Sequence, residues 1–199
     1  GAFGTESYIL TGYFNLVKIF EITMHNGLDP ISGKQVGICT GETKKFHSFD
    51  QVVKAFENQV QYFVDVKIKG TNIIDKIWAE NIPVPFLSLL IDDCIKNGTD
   101  YNNGGARYNT SYIQGVGLGS LTDILTSIKY NIFDKKELSF AELFEATEEN
   151  FIGRSKLRSK LINHTPKYGN DDDYADEQAI RIFNIFLKAV NGKPNRNGG

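Results

Sequence analysis

The amino-acid sequence predicts an α/β domain that is mostly helical and is incomplete by itself. Capping signals and apolar residues at helical spacing mark about seven helices, whereas only one or two segments favour extended backbone. A parallel sheet needs several strands before the helices that cover it have a surface to bury. The chain has no repeat of roughly 20 to 50 residues and no flexible linker. We therefore expect one partial domain over residues 1–199, with further strands supplied from outside it.

Helix start and stop signals place the elements of the first half. Thr11 is expected to cap an amphipathic helix that ends at Gly27. The capping box Ser48-Phe49-Asp50-Gln51 opens a long helix that should break at Gly70. Another helical stretch over residues 72–81 must end before Pro83.

Pro85 fits the first turn of a helix through PFLSLLIDDC, which ends at Gly98. Its nearly continuous apolar run implies burial on most sides, so a chain without the rest of its fold should expose this surface and be poorly soluble or partly molten.

The second half contains the best strand candidate, residues 107–115, which runs into a helix that starts at Ser120. Ser139 to Glu142 form another capping box. Asp173 or a neighbour opens a last helix that ends at Gly192.

Composition excludes several classes of function. The 22 basic and 24 acidic residues give a net charge of −2, which provides no general attraction to nucleic acid. Apolar stretches such as residues 86–91 are far shorter than the roughly 20 residues that cross a bilayer. Cys39 and Cys94 are too few and too far apart for a disulfide framework or a zinc site, which indicates a reducing, intracellular setting. The chain starts without Met or a signal peptide, and we expect it to be a piece of a longer protein.

Two motifs suggest ligand sites, and each has a structural alternative. GVGLGS, Gly115 to Ser120, lies at a strand-to-helix junction and could hold phosphate, although glycines in a tight turn explain it as well. Asp171, Asp172, Asp173 and Asp176 could bind a hard cation, but they lack the spacing of a calcium loop and suit a helix start better.

No complete catalytic set follows from the residues alone. His25, His47 and His164 are scattered singly, and no Ser, His and acid set can be proposed from spacing. Cys94 suits a buried apolar position, and neither cysteine has neighbours that lower a thiol pKa.

The motifs together resemble the glycyl radical enzymes, the pyruvate formate-lyase-like family. The matching stretches run in order along the chain: FNLVKIFEITMHNG from Phe14, PFLSLLIDDC from Pro85, NGGARYN from Asn103, GVGLGSLTDIL from Gly115 and PKYGNDDDYAD from Pro166. GAFGTESYILTGYFN, DYNNGGARYN and TSYIQGVG are most similar to the branch that dehydrates trans-4-hydroxy-L-proline. The Trp-His-Asp segment expected near residues 8–11 in glycerol- and choline-type members is absent.

The resemblance implies a ten-stranded α/β barrel of the pyruvate formate-lyase and ribonucleotide reductase type, of which this chain would be a mostly helical slice. It implies a cytoplasmic, anaerobic lyase that converts trans-4-hydroxy-L-proline to pyrroline-5-carboxylate. The full-length protein would be a homodimer whose glycyl radical is installed by a radical S-adenosylmethionine activase. The Cys-x-Glu element is expected just before Gly1 and the radical glycine beyond Gly199, so we expect no catalytic residue, bound cofactor or metal in this chain and no activity from it alone.

The resemblance also assigns one substrate-binding residue, Tyr13. By its place after the cysteine loop, Tyr13 corresponds to an aromatic residue that lines the substrate pocket in the hydroxyproline branch, where a phenol can hydrogen-bond the substrate. The alternative is an aromatic residue at a helix start, packed in the core. NGGARYN is expected to let backbone segments approach closely rather than to touch substrate.

Three other functions stay open. The protein could be another family member, such as a formate acetyltransferase or a glycerol or diol dehydratase. It could be a non-catalytic module that binds phosphate through Gly115 to Ser120, or an inactive relative that keeps the scaffold to bind a partner.

Overall fold

A computed structural model describes residues 4–198, apart from the side chains of Tyr8 and Ile9. Within these residues it contains helices and two small sheets. The strands are β1 (Glu6–Asn15), β2 (Leu28–Asp29), β3 (Lys34–Gln35) and β4 (Tyr108–Val116). The α-helices are α1 (Leu16–Met24), α2 (Phe49–Asn81), α3 (Pro85–Ser88), α4 (Asp92–Asn97), α5 (Leu118–Ile128), α6 (Phe140–Glu148), α7 (Ser155–Asn163) and α8 (Asp173–Val190). A π-helical turn follows α5 at Lys129–Asp134.

The described residues divide into two compact units. The first unit comprises residues 4–14, 63–114 and 190–198, and the second comprises residues 15–62 and 115–189. Both are parts of one chain, and the expectation of a single partial domain over residues 1–199 stays a prediction.

Strand β1 pairs with β4 in a parallel two-stranded sheet. Tyr108 N donates to Thr5 O at 3.0 Å, and Thr11 Oγ1 donates to Tyr112 O at 2.8 Å. The prediction that Thr11 caps a helix is therefore wrong, because Thr11 lies inside a strand. The helix α1 begins at Leu16 instead, with the Asn15 side chain accepting from Lys18 N at 3.0 Å. Aromatic and β-branched residues favour the strand once a distant partner is available.

Helix α2 is continuous over 33 residues, so the predicted break at Gly70 is wrong. A glycine in a helix interior costs only about 0.5–1 kcal/mol relative to alanine. The cooperative hydrogen bonding of the flanking helical turns can offset this cost. The predicted cap at Ser48 is present, since Ser48 Oγ accepts from Gln51 N at 3.3 Å. In a full capping box the Gln51 side chain would accept from the backbone N–H of Ser48. Here Gln51 Oε1 accepts from His47 N, one residue earlier.

The segment PFLSLLIDDC forms two short helices, α3 and α4, rather than the single helix predicted. Ile91 between them is extended and buried, and it packs in a small cluster with Cys94 and Ala106. In this chain Phe86 is 77% exposed and Leu89 is 64% exposed, as expected for this apolar run without the rest of its fold, and its burial by other parts of a longer protein stays a prediction. The predicted end at Gly98 is confirmed by its left-handed backbone, with φ at 59°.

The NGGARYN segment leads from a short turn into β4. Gly105 lies against the α4 end, where a Cβ atom would overlap the Thr99 carbonyl oxygen and lie 2.7 Å from Cys94 Sγ. Only glycine fits this position without displacing backbone. The close approach of two backbone segments therefore explains why residue 105 is a glycine.

The second unit has its own apolar core. Helices α2, α5 and α8 contribute fully buried side chains, which are Val52, Phe56, Leu121, Leu125 and Ile182. Helix α5 begins at Leu118, two residues before the predicted Ser120.

The capping box at Ser139 and Glu142 is confirmed in both directions. The predicted start of the last helix at Asp173 is confirmed as well. The hairpin β2–β3, the helix α7 and the π-helical turn were not predicted.

Candidate functional site

Tyr13, the predicted substrate-binding residue, lies near the end of β1 in the first unit. Its side chain is 68% exposed, whereas the next residue, Phe14, is buried. Tyr13 lies on a strand rather than at a helix start, and the described residues leave most of its surface uncovered. A phenol in this setting can donate one hydrogen bond and accept another.

Gly12, immediately before Tyr13, interrupts the regular geometry of β1. Its φ of 127° belongs to a region that residues with a Cβ atom rarely adopt. A Cβ atom at this position would also lie 3.0 Å from Lys67 Nζ. The strand therefore adopts a backbone conformation that favours glycine just before the exposed tyrosine.

Lys67 of α2 completes this corner of the site, and the sequence did not indicate it. Its ammonium donates a hydrogen bond to the Thr11 carbonyl oxygen. Lys67 follows the buried Val64 by three residues and precedes the buried Thr71 by four. A charged residue at a position where helical spacing predicts burial is the feature that could have identified it.

A second polar group in the same unit surrounds Asp75. Burial raises the pKa of Asp75, and its hydrogen bond with Ser111 and the charges of Arg196 and Lys67 oppose this rise. Asn195 Nδ2 donates to Asn109 O at 2.9 Å, and Arg196 Nη2 donates to the backbone of a neighbouring turn. These bonds hold the segment after α8 against β4, which is a structural role.

The two cysteines differ in exposure. Cys39 is exposed and Cys94 is buried. Burial raises the pKa of the Cys94 thiol, and the negative charges of Asp100 and Asp93 raise it further. Cys94 is thus a small apolar core residue, as its sequence position indicated.

The glycines of GVGLGS are explained by packing. Gly117 has a φ of 87°, and a Cβ atom there would lie 2.8 Å from Val17 Cγ2. A Cβ atom at Gly115 would lie 3.1 Å from the ring of Phe186. Both glycines let β4 turn into α5 against neighbouring side chains, which favours the structural interpretation of this motif.

The acidic run lies at the start of α8, as the helix-start interpretation predicted. Asp172 Oδ1 accepts from Tyr174 N at 3.0 Å, and the Asp172 carbonyl accepts from the next turn. Asp173 and Asp176 occupy the first turn, where a carboxylate favours the helix dipole. Over residues 4–198, no three His, Cys, Asp or Glu side chains form a group that could hold a metal ion.

One cavity of the second unit measures about 420 Å³. Its walls are mainly aromatic and aliphatic, and they include Phe20, Phe140 and Phe144. At its edge, His25 Nε2 lies 3.0 Å from Glu148 Oε1, and His25 Nδ1 lies 2.8 Å from Glu21 O. Because the other two predicted histidines do not line this cavity, the structure forms no histidine cluster there.

None of the helices in the described part of the chain has the length and apolar character needed to cross a membrane.

Comparison with known proteins gives a consistent set of relatives. Trans-4-hydroxy-L-proline dehydratase from Clostridioides difficile is 51% identical over the whole chain, and (2S)-3-sulfopropanediol dehydratase from Klebsiella oxytoca is 35% identical over 94% of it. The match covers 25% of the first relative and 23% of the second. The chain thus spans about a quarter of the length of these relatives.

Solved structures match equally well. Hydroxyproline dehydratase from Clostridioides difficile with trans-4-hydroxy-L-proline bound has a TM-score of 0.96 at 51% identity. The match covers all of this chain and 25% of that structure's chain. A glycerol-bound, B12-independent glycerol dehydratase from Clostridium butyricum has a TM-score of 0.90 at 34% identity over 98% of this chain and 25% of its own.

These neighbours are glycyl radical enzymes of the barrel type, so the predicted fold class, a mostly helical slice of that α/β barrel, is confirmed. The family model named pyruvate formate lyase-like matches residues 1–199. The chain belongs to the pyruvate formate lyase-like family.

Proposed function

We propose that this chain is part of a glycyl radical lyase that dehydrates trans-4-hydroxy-L-proline to pyrroline-5-carboxylate. The observation that carries the proposal is the 51% identity to the hydroxyproline enzyme, against 35% or less for the sulfopropanediol and glycerol enzymes. An identity of 51% that extends over the whole chain supports a shared substrate rather than a shared scaffold alone.

In this proposal the reacting groups lie outside residues 1–199. The radical glycine and the Cys-x-Glu element would supply hydrogen abstraction and the acid that assists loss of water. The chain itself contributes one wall of the pocket, in which Tyr13 hydrogen-bonds a polar group of the substrate. Its exposed side chain is free to do so, since most of its surface is uncovered by the described residues.

The proposal includes the setting of the full-length protein. It would be a cytoplasmic, anaerobic homodimer that depends on a radical S-adenosylmethionine activase for its glycyl radical. Residues 1–199 alone would be inactive, because catalysis by this route requires the radical glycine and the cysteine together.

Turnover by the full-length protein tests the proposal. After anaerobic activation, the protein is incubated separately with trans-4-hydroxy-L-proline, glycerol, choline and (2S)-3-sulfopropanediol, and the glycyl radical is quantified by electron paramagnetic resonance. We expect pyrroline-5-carboxylate from hydroxyproline and negligible turnover of the other three. Protein that was not activated and residues 1–199 alone serve as controls. A radical-bearing protein that turned over a diol and left hydroxyproline unchanged would refute the assignment.

A further inference from the structure

We propose that Lys67 is a positioning residue that acts through the Thr11 carbonyl and the positive-φ backbone at Gly12 to aim Tyr13 at the substrate. This inference rests on the proposed function, because it assigns Tyr13 a substrate contact. Lys67 itself need not touch the substrate.

Thr11 is held by hydrogen bonds from two directions. Its hydroxyl donates to Tyr112 O of β4 at 2.8 Å, and its carbonyl oxygen accepts from the ammonium of Lys67. The first bond fixes the residue on the sheet. The second fixes the orientation of its carbonyl group.

The orientation of the Thr11 carbonyl controls the entry to Gly12. The Thr11 carbonyl and the Gly12 nitrogen belong to one planar peptide unit, so a bond to the oxygen also sets the plane from which Gly12 continues. Gly12 has a φ of 127°, and Tyr13 is the next residue. A rotation of this peptide plane would therefore change the direction of the tyrosine side chain.

Lys67 lies on the side of α2 that buries Val64 and Thr71, where an apolar residue would pack without desolvating an ammonium. Asp75 lies about two turns further along α2. Its carboxyl group interacts electrostatically with Lys67 and Arg196 and forms a hydrogen bond with Ser111. The ammonium of Lys67 donates a hydrogen bond to the Thr11 carbonyl rather than to a carboxylate. Fixing a main-chain oxygen next to an exposed tyrosine is the use of this charge that the geometry supports.

The test uses the full-length, anaerobically activated protein and four variants: K67M, K67R, Y13F and the double variant K67M/Y13F. The matched control is K69M, because Lys69 is exposed on the same helix two residues away. We expect K67M to lower kcat/KM for hydroxyproline about tenfold, as for the loss of one hydrogen bond to a charged group. The loss should fall mainly on KM, with an unchanged yield of glycyl radical, and K67R should recover most of it.

The double variant separates positioning from a general structural effect. If Lys67 acts through Tyr13, K67M should lower kcat/KM much less in the Y13F background than in the wild type. Equal losses in the two backgrounds would overturn the inference. So would a K69M loss as large as that of K67M.

Crystal structures of the full-length wild type, K67M and K67R provide a readout independent of activity. We expect the Thr11 carbonyl and the Tyr13 side chain to rotate in K67M and to keep their place in K67R. An unmoved Tyr13 in K67M would overturn the inference. If the wild type fails to dehydrate hydroxyproline although it carries the radical, the proposed function fails, and the structures still decide whether Lys67 positions Tyr13.

Discussion

Arg107 binds Asp93 through two parallel hydrogen bonds, with Nε 2.9 Å from Oδ2 and Nη2 3.0 Å from Oδ1. This geometry matches the planar fork of a guanidinium to both oxygens of a carboxylate. Arg107 belongs to the segment before β4, and Asp93 lies in the first turn of α4. The pair joins these two parts of the first unit. The hydrogen bonds from Arg107 hold the pKa of Asp93 below its ordinary value.

The first prediction concerns the pH dependence of this pair. A depressed carboxyl pKa stabilises the fold above the unfolded pKa of about 3.9, and this contribution is lost as the pH falls through the folded value. R107A in the full-length protein should therefore reduce hydrogen-exchange protection of residues 92–108 at pH 6. The difference from the wild type should shrink below about pH 4.

The control for this prediction is R158A, since Arg158 is exposed on α7. It should leave the protection of residues 92–108 unchanged. A difference between R107A and the wild type that stayed constant down to pH 3 would argue against the ion pair as its source.

The second prediction compares two glycines. A Cβ atom at Gly105 would overlap the Thr99 carbonyl, whereas a Cβ atom at Gly70 meets no atom within 4 Å among the described residues. G105A should therefore destabilise its surroundings by about 3 kcal/mol, as overpacking does where backbone must move. G70A should stabilise α2 by about 0.5–1 kcal/mol, because alanine loses less backbone freedom than glycine.

Free energies of local opening from hydrogen exchange in the full-length protein measure both effects. Each glycine serves as the control for the other, since the chemical change is the same. Equal effects of the two substitutions would show that local packing at Gly105 does not decide the outcome.

The third prediction concerns thiol reactivity. Cys39 is exposed, whereas Cys94 is buried and its pKa is raised by burial and by nearby carboxylates. Because the thiolate is the reactive form, iodoacetamide at pH 8 should label Cys39 at least about tenfold faster than Cys94 in the native full-length protein.

Peptide mapping by mass spectrometry gives the two labelling rates. In urea the two rates should converge, which serves as the internal control. Native Cys94 that reacted as fast as Cys39 would contradict the buried cluster of Ile91, Cys94 and Ala106.

The fourth prediction concerns the exposed apolar side chains of residues 86–90. Phe86, Leu89 and Leu90 are all exposed in this chain, and contiguous apolar surface of this kind is uncommon on a soluble monomer. Residues 1–199 alone should bind the dye 8-anilinonaphthalene-1-sulfonate more strongly, per molecule, than the full-length protein does.

Replacing Phe86, Leu89 and Leu90 by serine should reduce dye binding to the 199-residue chain. The control is I152S, which removes a single isolated side chain that is 79% exposed. Dye binding that was equal for the full-length protein and the 199-residue chain would count against the view that other parts of the protein cover this surface.

Local rules in the sequence predicted those elements whose cause is local. Ser139 and Glu142 satisfy each other's backbone groups within one turn, so their capping box is visible without any tertiary information. Gly98 marks the end of α4 through its left-handed backbone, and Asp173 marks the start of α8 through its carboxylate in the first turn, which are local causes as well.

Two of the three errors have a different origin, since they depend on residues in other segments of the chain. Thr11 lies in a strand that pairs with the segment of Tyr112, 101 residues away, so local signals around Thr11 did not indicate the strand. Helix α2 continues through Gly70 because a 33-residue helix carries the cost of one glycine. Ile91 leaves the helical conformation and is buried with Ala106 from another segment, which splits the predicted helix.

The site was only partly predictable for the same reason. Tyr13 followed from the family resemblance, but Lys67, which bonds the Thr11 carbonyl, lies 54 positions beyond Tyr13 on a helix whose periodicity predicts an apolar face. The hydrogen bond from Lys67 to Thr11 joins a side chain to a main-chain oxygen, whose position no sequence pattern encodes.

The pairing of β1 with β4 has a kinetic consequence. A ribosome that adds about 5–20 residues per second needs roughly 5–20 s to make the stretch between Thr11 and Tyr112. During that interval the nascent β1 has an unpaired edge, which is a site where strands of other molecules can attach. Synthesis of this segment therefore favours chaperone protection of its first residues until β4 emerges.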